Sequence, residues 1–172
     1  MERVLISGHS GAGKTTLARR LAARHGLPHH ELDALHHGPG WVKRAEFEAD
    51  VERFSTGPRW VTEDQYRRFL GDLLWSRADT VIWLDLPRRT VLARVVRRSV
   101  SRAITRRELW NGNRESWREW LNPDHPMRWA WSQYHDKRRR VIEQSGRHPG
   151  IRLIHLTSAS AVRHWLRSLP PS

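Results

Sequence analysis

The chain has 172 residues, which is enough for one domain with a substantial core, and we expect a single domain. It contains no Cys, which excludes disulfides and thiolate metal sites, and no apolar run approaches the roughly 20 residues that span a bilayer. The formal net charge of +13 has two explanations: a polyanionic partner such as nucleic acid, or a surface on which Arg is the default polar residue. Because a strand-like run begins at Arg3, we expect no signal peptide and a cytoplasmic location.

The first motif fits G-x-x-x-x-G-K-[ST], the phosphate-binding P-loop. It consists of Gly8, His9, Ser10, Gly11, Ala12, Gly13, Lys14 and Thr15, followed by Thr16. A β-branched run precedes it and an amphipathic helical pattern follows it, which is the order that the mechanism needs. Glycines let successive N–H groups surround a phosphate, and the helix N-terminus adds positive charge. We therefore predict binding of ATP, with Lys14 on the β- and γ-phosphates and the Thr15 hydroxyl on Mg²⁺.

A second strand is predicted from His29 to Asp33, after the turn at Gly26-Leu27-Pro28. Ligands of open α/β sheets bind at the carboxyl ends of the strands, so Asp33 is expected to face the P-loop. Its carboxylate suits either Mg²⁺ bound through water or the proton of an acceptor hydroxyl. The alternative is that Asp33 only caps the element that follows.

A loop rich in Gly, Pro and His follows, and then a short helix over residues 45–54. We interpret residues from about 34 to 58 as a flap that binds the acceptor. The histidines at 29, 30, 36 and 37 lack metal-ligand spacing, and adjacent residues of a strand point to opposite faces, so no dedicated transition-metal site is expected.

The third strand is predicted over residues 59–64 and ends in Glu63 and Asp64. An acid in this position often orders the water shell of Mg²⁺, and this indicates Glu63 as a metal residue. An amphipathic helix is predicted over 67–75 and a buried strand over 79–85. Asp85 competes for the same metal role, but we favour it as a cap of the next helix.

The next helix is predicted from Arg88 to about Ser101, with Val91 and Val95 facing inward. Its arginines recur every three or four residues, so like charges repel one another until an anion binds. An Arg-rich segment of about 99–118 continues from it as a predicted lid that stabilises charge during transfer. We assign this role to Arg98, Arg102 and Arg107, and the alternative is a solvated basic face.

The carboxyl-terminal part predicts a long helix reaching Ile142, a fifth strand over 151–156 and a last helix capped by Ser158. The loop of residues 157–161 is a candidate contact for adenine. Strands alternate with helices five times, which predicts a three-layer α/β fold around a five-stranded parallel sheet.

These segments together resemble the adenylate-kinase-like P-loop kinases, and among them small bacterial proteins described as DNA topology modulation proteins or AAA family ATPases. The similarity lies in the P-loop, in Glu31–Leu35 running to Trp41, in Trp60–Tyr66, in Val81–Pro87 and in Arg106–Glu115. It implies a kinase fold with a flap and a mobile lid, Lys14 on phosphates, Thr15 on Mg²⁺, Asp33 near the acceptor, and lid charges from arginines between Arg94 and Arg114. Many relatives have Asp-Gly-Asn-Tyr where this chain has Glu63-Asp64-Gln65-Tyr66, so Glu63 takes the Mg²⁺-ordering place with a longer side chain. The Gly-Phe-Pro-Arg element of true adenylate kinases is absent, so a nucleoside monophosphate acceptor is not implied.

The sequence thus predicts an ATP- and Mg²⁺-dependent phosphotransferase that acts on a small acceptor, as a monomer or homodimer. A nucleic-acid-associated ATPase or regulator is the alternative that the basic charge suggests, although no nucleic-acid-binding motif is evident. A nucleotide-binding protein without catalysis is a third possibility. A GTPase is not expected, because no Asn-Lys-x-Asp string occurs.

Overall fold

A computed structural model describes the backbone of residues 1–105 and 134–170, and the side chains of residues 1–97 and 136–170. Five parallel strands form one sheet in the order β2-β3-β1-β4-β5. The strands are β1 (Arg3–Gly8), β2 (His29–His30), β3 (Trp60–Glu63), β4 (Thr80–Leu84) and β5 (Arg152–Leu156). The predicted parallel sheet is confirmed, and β1 lies at its centre.

Helices connect the strands. They are α1 (Lys14–His25), α2 (Leu32–His36), α3 (Phe47–Ser55), α4 (Arg67–Leu70), α5 (Leu73–Arg77), α6 (Arg88–Thr105), α7 (Tyr134–Arg147) and α8 (Ala159–Ser168), with a 3₁₀ turn at Pro39–Trp41. Part of the predicted lid, including Arg107, lies outside the described residues, as does the beginning of the predicted long helix.

Alternate residues of the central strand face two different hydrophobic layers, as expected for a sheet covered on both sides. Val4 and Ile6 lie in a cluster with apolar side chains of α1, α6 and α8, whereas Leu5 lies in a second cluster with residues of α3, α5 and α7. All three side chains are fully buried. The three-layer architecture is therefore confirmed, and it holds the carboxyl end of β1 between two packed faces.

The predicted second strand is shorter than expected, because only His29 and His30 pair with β3. Residues 32–36 instead form α2, whose Leu32 is fully buried in the cluster with Phe47 and Val51. A helical turn buries Leu32 while Asp33 takes the adjacent position on the surface of the helix. The strand prediction was wrong at Asp33, and Asp33 is not a cap either, because the N-cap position is Glu31.

Two further local predictions were wrong. The helix expected over 67–75 is two short helices, because Gly71 adopts φ 53° and ψ −126°, which no helix accommodates. Asp85 does not cap α6, since the carbonyl of Pro87 accepts the first hydrogen bonds of that helix, from Thr90 and Val91.

Other helix predictions were confirmed. The short helix after the loop is α3, and α6 buries Val91 and Val95 as expected. Ser158 caps α8, its Oγ accepting a hydrogen bond from the backbone N–H of Ala161 at 3.0 Å. Among the described residues, no helix has both the length and the apolar character needed to cross a bilayer.

Candidate active site

The P-loop lies between the carboxyl end of β1 and the first turn of α1. Gly11 and Gly13 adopt φ 83° and 99°, in the left-handed region that suits glycine. Gly13 is the N-cap of α1, and glycine has no side chain that could cap the first N–H groups of the helix. These N–H groups can therefore bind an anion.

Space around the loop also requires glycine. A Cβ atom at Gly8 would lie 2.8 Å from the carbonyl oxygen of Leu84, and one at Gly11 would lie 2.6 Å from Val95 Cγ2 and 2.9 Å from the carbonyl oxygen of Val91. Contacts this short do not occur for real side chains. The loop is therefore in contact with β4 on one side and with α6 on the other.

Lys14 is buried, with 8% of its surface exposed, and its ammonium group is folded back onto the loop. Nζ donates to the carbonyl oxygens of Gly8 at 3.1 Å and His9 at 3.2 Å. Burial, with help from the Lys137 ammonium, lowers the pKa of Lys14 to about 8, although Asp33 and other carboxylates nearby oppose the shift. The site thus holds a partly dehydrated cation that a bound polyphosphate would stabilise.

Asp33 lies close enough to Lys14 for the two charges to influence each other, as the sequence predicted for a cleft residue. Its Oδ1 accepts a hydrogen bond of 2.6 Å from the hydroxyl of Tyr66, which also lies 3.0 Å from His37 Nε2. Burial raises the pKa of Asp33 above its ordinary value, despite the Tyr66 hydrogen bond and the positive charge of Lys14. Burial, together with the neighbouring Asp33 carboxylate, also raises the pKa of Tyr66, so the phenol stays protonated and donates.

Glu63 lies at the end of β3, beside the central strand, in register with Ile6. It is 1% exposed, and its Oε1 is 3.2 Å from His29 Nε2. Its other oxygen, Oε2, is buried without a hydrogen-bond partner. A buried carboxylate oxygen without a partner is costly, so this atom suits a cation or an ordered water.

The predicted metal residues are Thr15, Asp33 and Glu63. Within the parts of the chain that the structure describes, no three His, Asp or Glu side chains converge closely enough to hold a metal ion by themselves. Mg²⁺ usually keeps several waters and is bound by one or two protein oxygens together with substrate phosphates. A few protein oxygens, including the unpartnered Glu63 Oε2, therefore fit Mg²⁺ better than they fit a metal that requires a protein cage.

Arg94, on α6, reaches the P-loop. Its Nη1 donates to the carbonyl oxygen of Ala12 at 3.1 Å, and it lies 3.7 Å from the position of a Cβ at Gly13. Arg98 and Arg102 lie on the same helix, but their side chains are outside the described residues, and so is Arg107. The lid roles assigned to these three arginines stay predictions.

Aromatic side chains between residues 36 and 69 form a wall beside Asp33. The rings of His36 and Tyr66 stack with centroids 4.1 Å apart, and Phe47 and Phe69 pack against this pair. The Trp41 ring meets His37 edge-on at 5.1 Å. The wall fixes Tyr66, which has a strained φ of 55°, in the position from which it bonds Asp33.

Asp85 belongs to a separate cluster at the ends of β4 and β5. Its Oδ2 is 3.0 Å from His155 Nε2 and 3.6 Å from Arg138 Nε, and the ring of His155 stacks on Trp83 at 4.0 Å. Both of these cationic or imidazole partners lie at Oδ2 of Asp85, whereas Glu63 has an oxygen, Oε2, that is buried without a hydrogen-bond partner. Glu63 is therefore the better candidate for the Mg²⁺-ordering role.

The sequence reasoning did not identify Ser7, Asp64 and Lys137 as site residues. Asp64 Oδ2 accepts hydrogen bonds of 2.6 Å from both Ser7 Oγ and Lys137 Nζ. The sequence does single these two residues out, because Lys137 is one of only three lysines in an Arg-rich chain and Asp64 is the second acid at the end of a strand. Their pairing could not be predicted, however, because they are 73 positions apart and no local sequence pattern indicates such a contact.

No protein-family model matches the chain, and no curated protein matches it at a significant level. Solved structures do match. Shikimate kinase from Acinetobacter baumannii in complex with shikimate gives a TM-score of 0.57 at 15% identity, over 97% of this chain and 89% of that one. A gluconokinase from Sinorhizobium meliloti 1021 gives 0.54 at 17% identity, over 96% and 87%. Shikimate kinase from Bacteroides thetaiotaomicron gives 0.53 at 13% identity, over 96% and 94%. At these identities the similarity establishes the fold alone, a three-layer α/β architecture around a five-stranded parallel sheet that this chain shares with these kinases.

Proposed function

We propose that the protein transfers the γ-phosphate of ATP to a hydroxyl or phosphate group of a small acceptor, in the presence of Mg²⁺. The observation that carries this proposal is the placement of Asp33, a half-buried carboxylate, close enough to the P-loop lysine for the two charges to influence each other. The proposed phosphate site and the proposed base for an acceptor would thus lie side by side. The structural neighbours, which are named as shikimate kinases and a gluconokinase, support small-molecule phosphorylation on this fold.

The P-loop residues from Gly8 to Thr16 would bind the polyphosphate through backbone N–H groups. Lys14 would leave the carbonyl oxygens of Gly8 and His9 and donate to the β- and γ-phosphates instead. Burial favours this exchange, because a phosphate oxygen carries a full negative charge and a carbonyl oxygen does not.

Thr15, Asp33 and Glu63 would hold the metal, Thr15 through its hydroxyl and the two carboxylates through water. When bound, Mg²⁺ neutralises charge on the β- and γ-phosphates during transfer. The unpartnered Glu63 Oε2 supports the assignment of Glu63.

Asp33 would accept the proton of an acceptor hydroxyl while the oxygen of that hydroxyl attacks the γ-phosphorus of ATP. The bond between the γ-phosphorus and the leaving oxygen of ADP would break. A pKa above the usual range makes a carboxylate a better base near neutral pH. Tyr66 would keep the Asp33 carboxylate oriented. Cationic side chains of Arg98, Arg102 and Arg107 would stabilise the charge of the transferred group.

Lys14→Ala tests the proposal. We expect the variant to stay folded, with a circular dichroism spectrum like that of the wild type, and to lose ATP-dependent phosphorylation by at least about a hundredfold. The assay is a screen of sugars, polyols, nucleosides and nucleotides for ATP consumption. A thermal-shift screen with a non-hydrolysable ATP analogue would first select the acceptors that bind. Activity in Lys14→Ala that equals the wild-type activity would refute the proposal.

The sequence motifs support two narrower proposals. We propose that the chain is a member of the small bacterial kinases described as DNA topology modulation proteins, and that it acts in the cytoplasm as a monomer or homodimer.

The charge of +13 supports a second candidate function, a nucleic-acid-associated ATPase or regulator. The dependence of nucleic-acid binding on salt distinguishes this candidate from a kinase with a basic surface.

A further inference from the structure

A partly buried ion pair outside the proposed chemistry connects α7 to the end of β1, where the P-loop begins. Lys137 Nζ donates to Asp64 Oδ2 at 2.6 Å and to the Asp64 carbonyl oxygen at 3.1 Å. The two side chains are 19% and 12% exposed. The same Oδ2 atom accepts the Ser7 hydroxyl at 2.6 Å, and Ser7 is fully buried. One carboxylate oxygen therefore joins a helix to the central strand.

Ser7 is the last residue before the P-loop begins at Gly8. The Gly8 carbonyl oxygen accepts the hydrogen bond from Lys14 Nζ, and the Asp64 backbone N–H donates to the Ile6 carbonyl oxygen at 2.8 Å. The side chain and the backbone of Asp64 thus both hold the end of β1. A displacement of Asp64 would move the strand end from which the loop starts.

Lys137 and Ser7 donate to the same oxygen, Oδ2, of Asp64. Lys137 Nζ also donates to the Asp64 carbonyl oxygen, so the ammonium group holds both the side chain and the backbone of Asp64. Loss of Lys137 would therefore release the carboxylate that accepts the Ser7 hydroxyl and weaken the bond that fixes Ser7.

We propose that Lys137 is a positioning residue for nucleotide binding, which acts on the P-loop through Asp64 and Ser7 and does not contact phosphate. This inference rests on the proposed function. It assigns a role to a helix that the mechanism does not otherwise use.

The test is a set of variants whose affinity for a non-hydrolysable ATP analogue with Mg²⁺ is measured by titration calorimetry. We expect Lys137→Met to weaken binding by about tenfold, and Lys137→Arg, which keeps a cationic donor, to stay within about threefold of the wild type. Arg139→Met is the matched control, because Arg139 is exposed on the same helix and pairs with Asp136 at 3.0 Å. It should bind like the wild type.

A double-variant cycle separates positioning from direct contact with phosphate. If Lys137 acts through Asp64, then Lys137→Met should weaken binding by less than about twofold when it is added to Asp64→Asn. A full further tenfold loss in that background would overturn the proposal, and so would wild-type affinity in Lys137→Met.

Ser7→Ala serves if the ion-pair variants fail to fold, because it leaves the pair in place and removes only the hydroxyl. We expect an unchanged spectrum and about threefold weaker binding, and wild-type affinity in Ser7→Ala would overturn the proposal. A wild-type protein that binds no analogue would refute the proposed function itself. If the wild type binds the analogue and Lys137→Met and Ser7→Ala bind it equally well, only the positioning role of Lys137 would be overturned.

Discussion

At the scale of single residues, the ammonium group of Lys14 connects binding with stability. Its hydrogen-bond partners are backbone carbonyl oxygens, and burial lowers its pKa. A lysine whose pKa is lower in the folded protein binds fewer protons there than in the unfolded chain, so it destabilises the fold at neutral pH. The fall of the pKa from 10.5 to about 8 corresponds to a penalty of about 3 kcal/mol at about 1.4 kcal/mol per pH unit.

We therefore expect Lys14→Met to stabilise the nucleotide-free protein at pH 7. The gain should be about 1 to 3 kcal/mol, because the loss of two hydrogen bonds to carbonyl groups offsets part of the penalty. The penalty is complete below about pH 8 and vanishes above about 10.5, so the gain should shrink as the pH rises through that interval.

Urea denaturation at pH 7 and pH 10 measures this difference. Lys43→Met is a suitable control, since the Lys43 ammonium is bonded to exposed Glu48 and should give no gain. A Lys14→Met variant less stable than the wild type at pH 7 would contradict the prediction.

At the scale of elements, the contact between the P-loop and α6 restricts the loop. Gly11 combines a positive φ with a Cβ position 2.6 Å from Val95 Cγ2. We expect Gly11→Ala to lower the free energy of unfolding by about 2 kcal/mol and to weaken binding of the ATP analogue, because the loop or the helix must move. Denaturation and calorimetry on the same samples measure both effects.

Gly26→Ala is the matched control for this substitution. Gly26 also has a positive φ, of 59°, but among the described residues no atom apart from those of its chain neighbours lies within 4 Å of its Cβ position. It should cost about 1 kcal/mol and leave binding unchanged. Adding Val95→Ala to Gly11→Ala should restore only part of the stability, because the Val91 carbonyl oxygen stays 2.9 Å away. Equal effects of the two glycine substitutions on binding would contradict the role of the α6 contact.

The elements also show what could be predicted from sequence. The P-loop, the buried strands and α3 follow from local periodicity and motif, and these are short-range properties of the chain. The boundary between β2 and α2 could not be predicted in this way, because Leu32 could pack as a strand residue or as a helix residue. Its contacts with Phe47 and Val51, which are distant in sequence, favour the helix. The break between α4 and α5 results from the backbone conformation of a single residue, Gly71, and an amphipathic pattern does not reveal that conformation.

At the scale of the whole molecule, many of the charges are already paired. Among the described residues, Arg19 pairs with Glu31, Arg59 with Glu2 and Arg77 with Glu52. We therefore expect duplex DNA to bind at about 50 mM salt and to be released by about 200 mM, without sequence preference. Fluorescence anisotropy with two unrelated duplexes checks this, and Lys14→Ala should bind as the wild type does. Sequence-specific binding that persists at physiological salt would favour the second candidate function.

Only part of the candidate site was predicted from the sequence. Lys14, Asp33 and Glu63 were predicted as site residues because each belongs to a motif or ends a predicted element, and their roles stay predictions. Asp64 and Lys137 were missed because their meaning depends on a contact across the fold. Local sequence therefore identified the residues proposed to perform the chemistry more readily than those proposed to hold them in place.

The central position of β1 has a mechanical consequence. The strand that leads into the P-loop, β1, is flanked by β3 and β4 and packed on both faces, so we expect it to be the most rigid strand of the sheet. The start of the P-loop should therefore keep a fixed position. We therefore expect any movement on ligand binding to occur in the short helices α2, α4 and α5 rather than in β1.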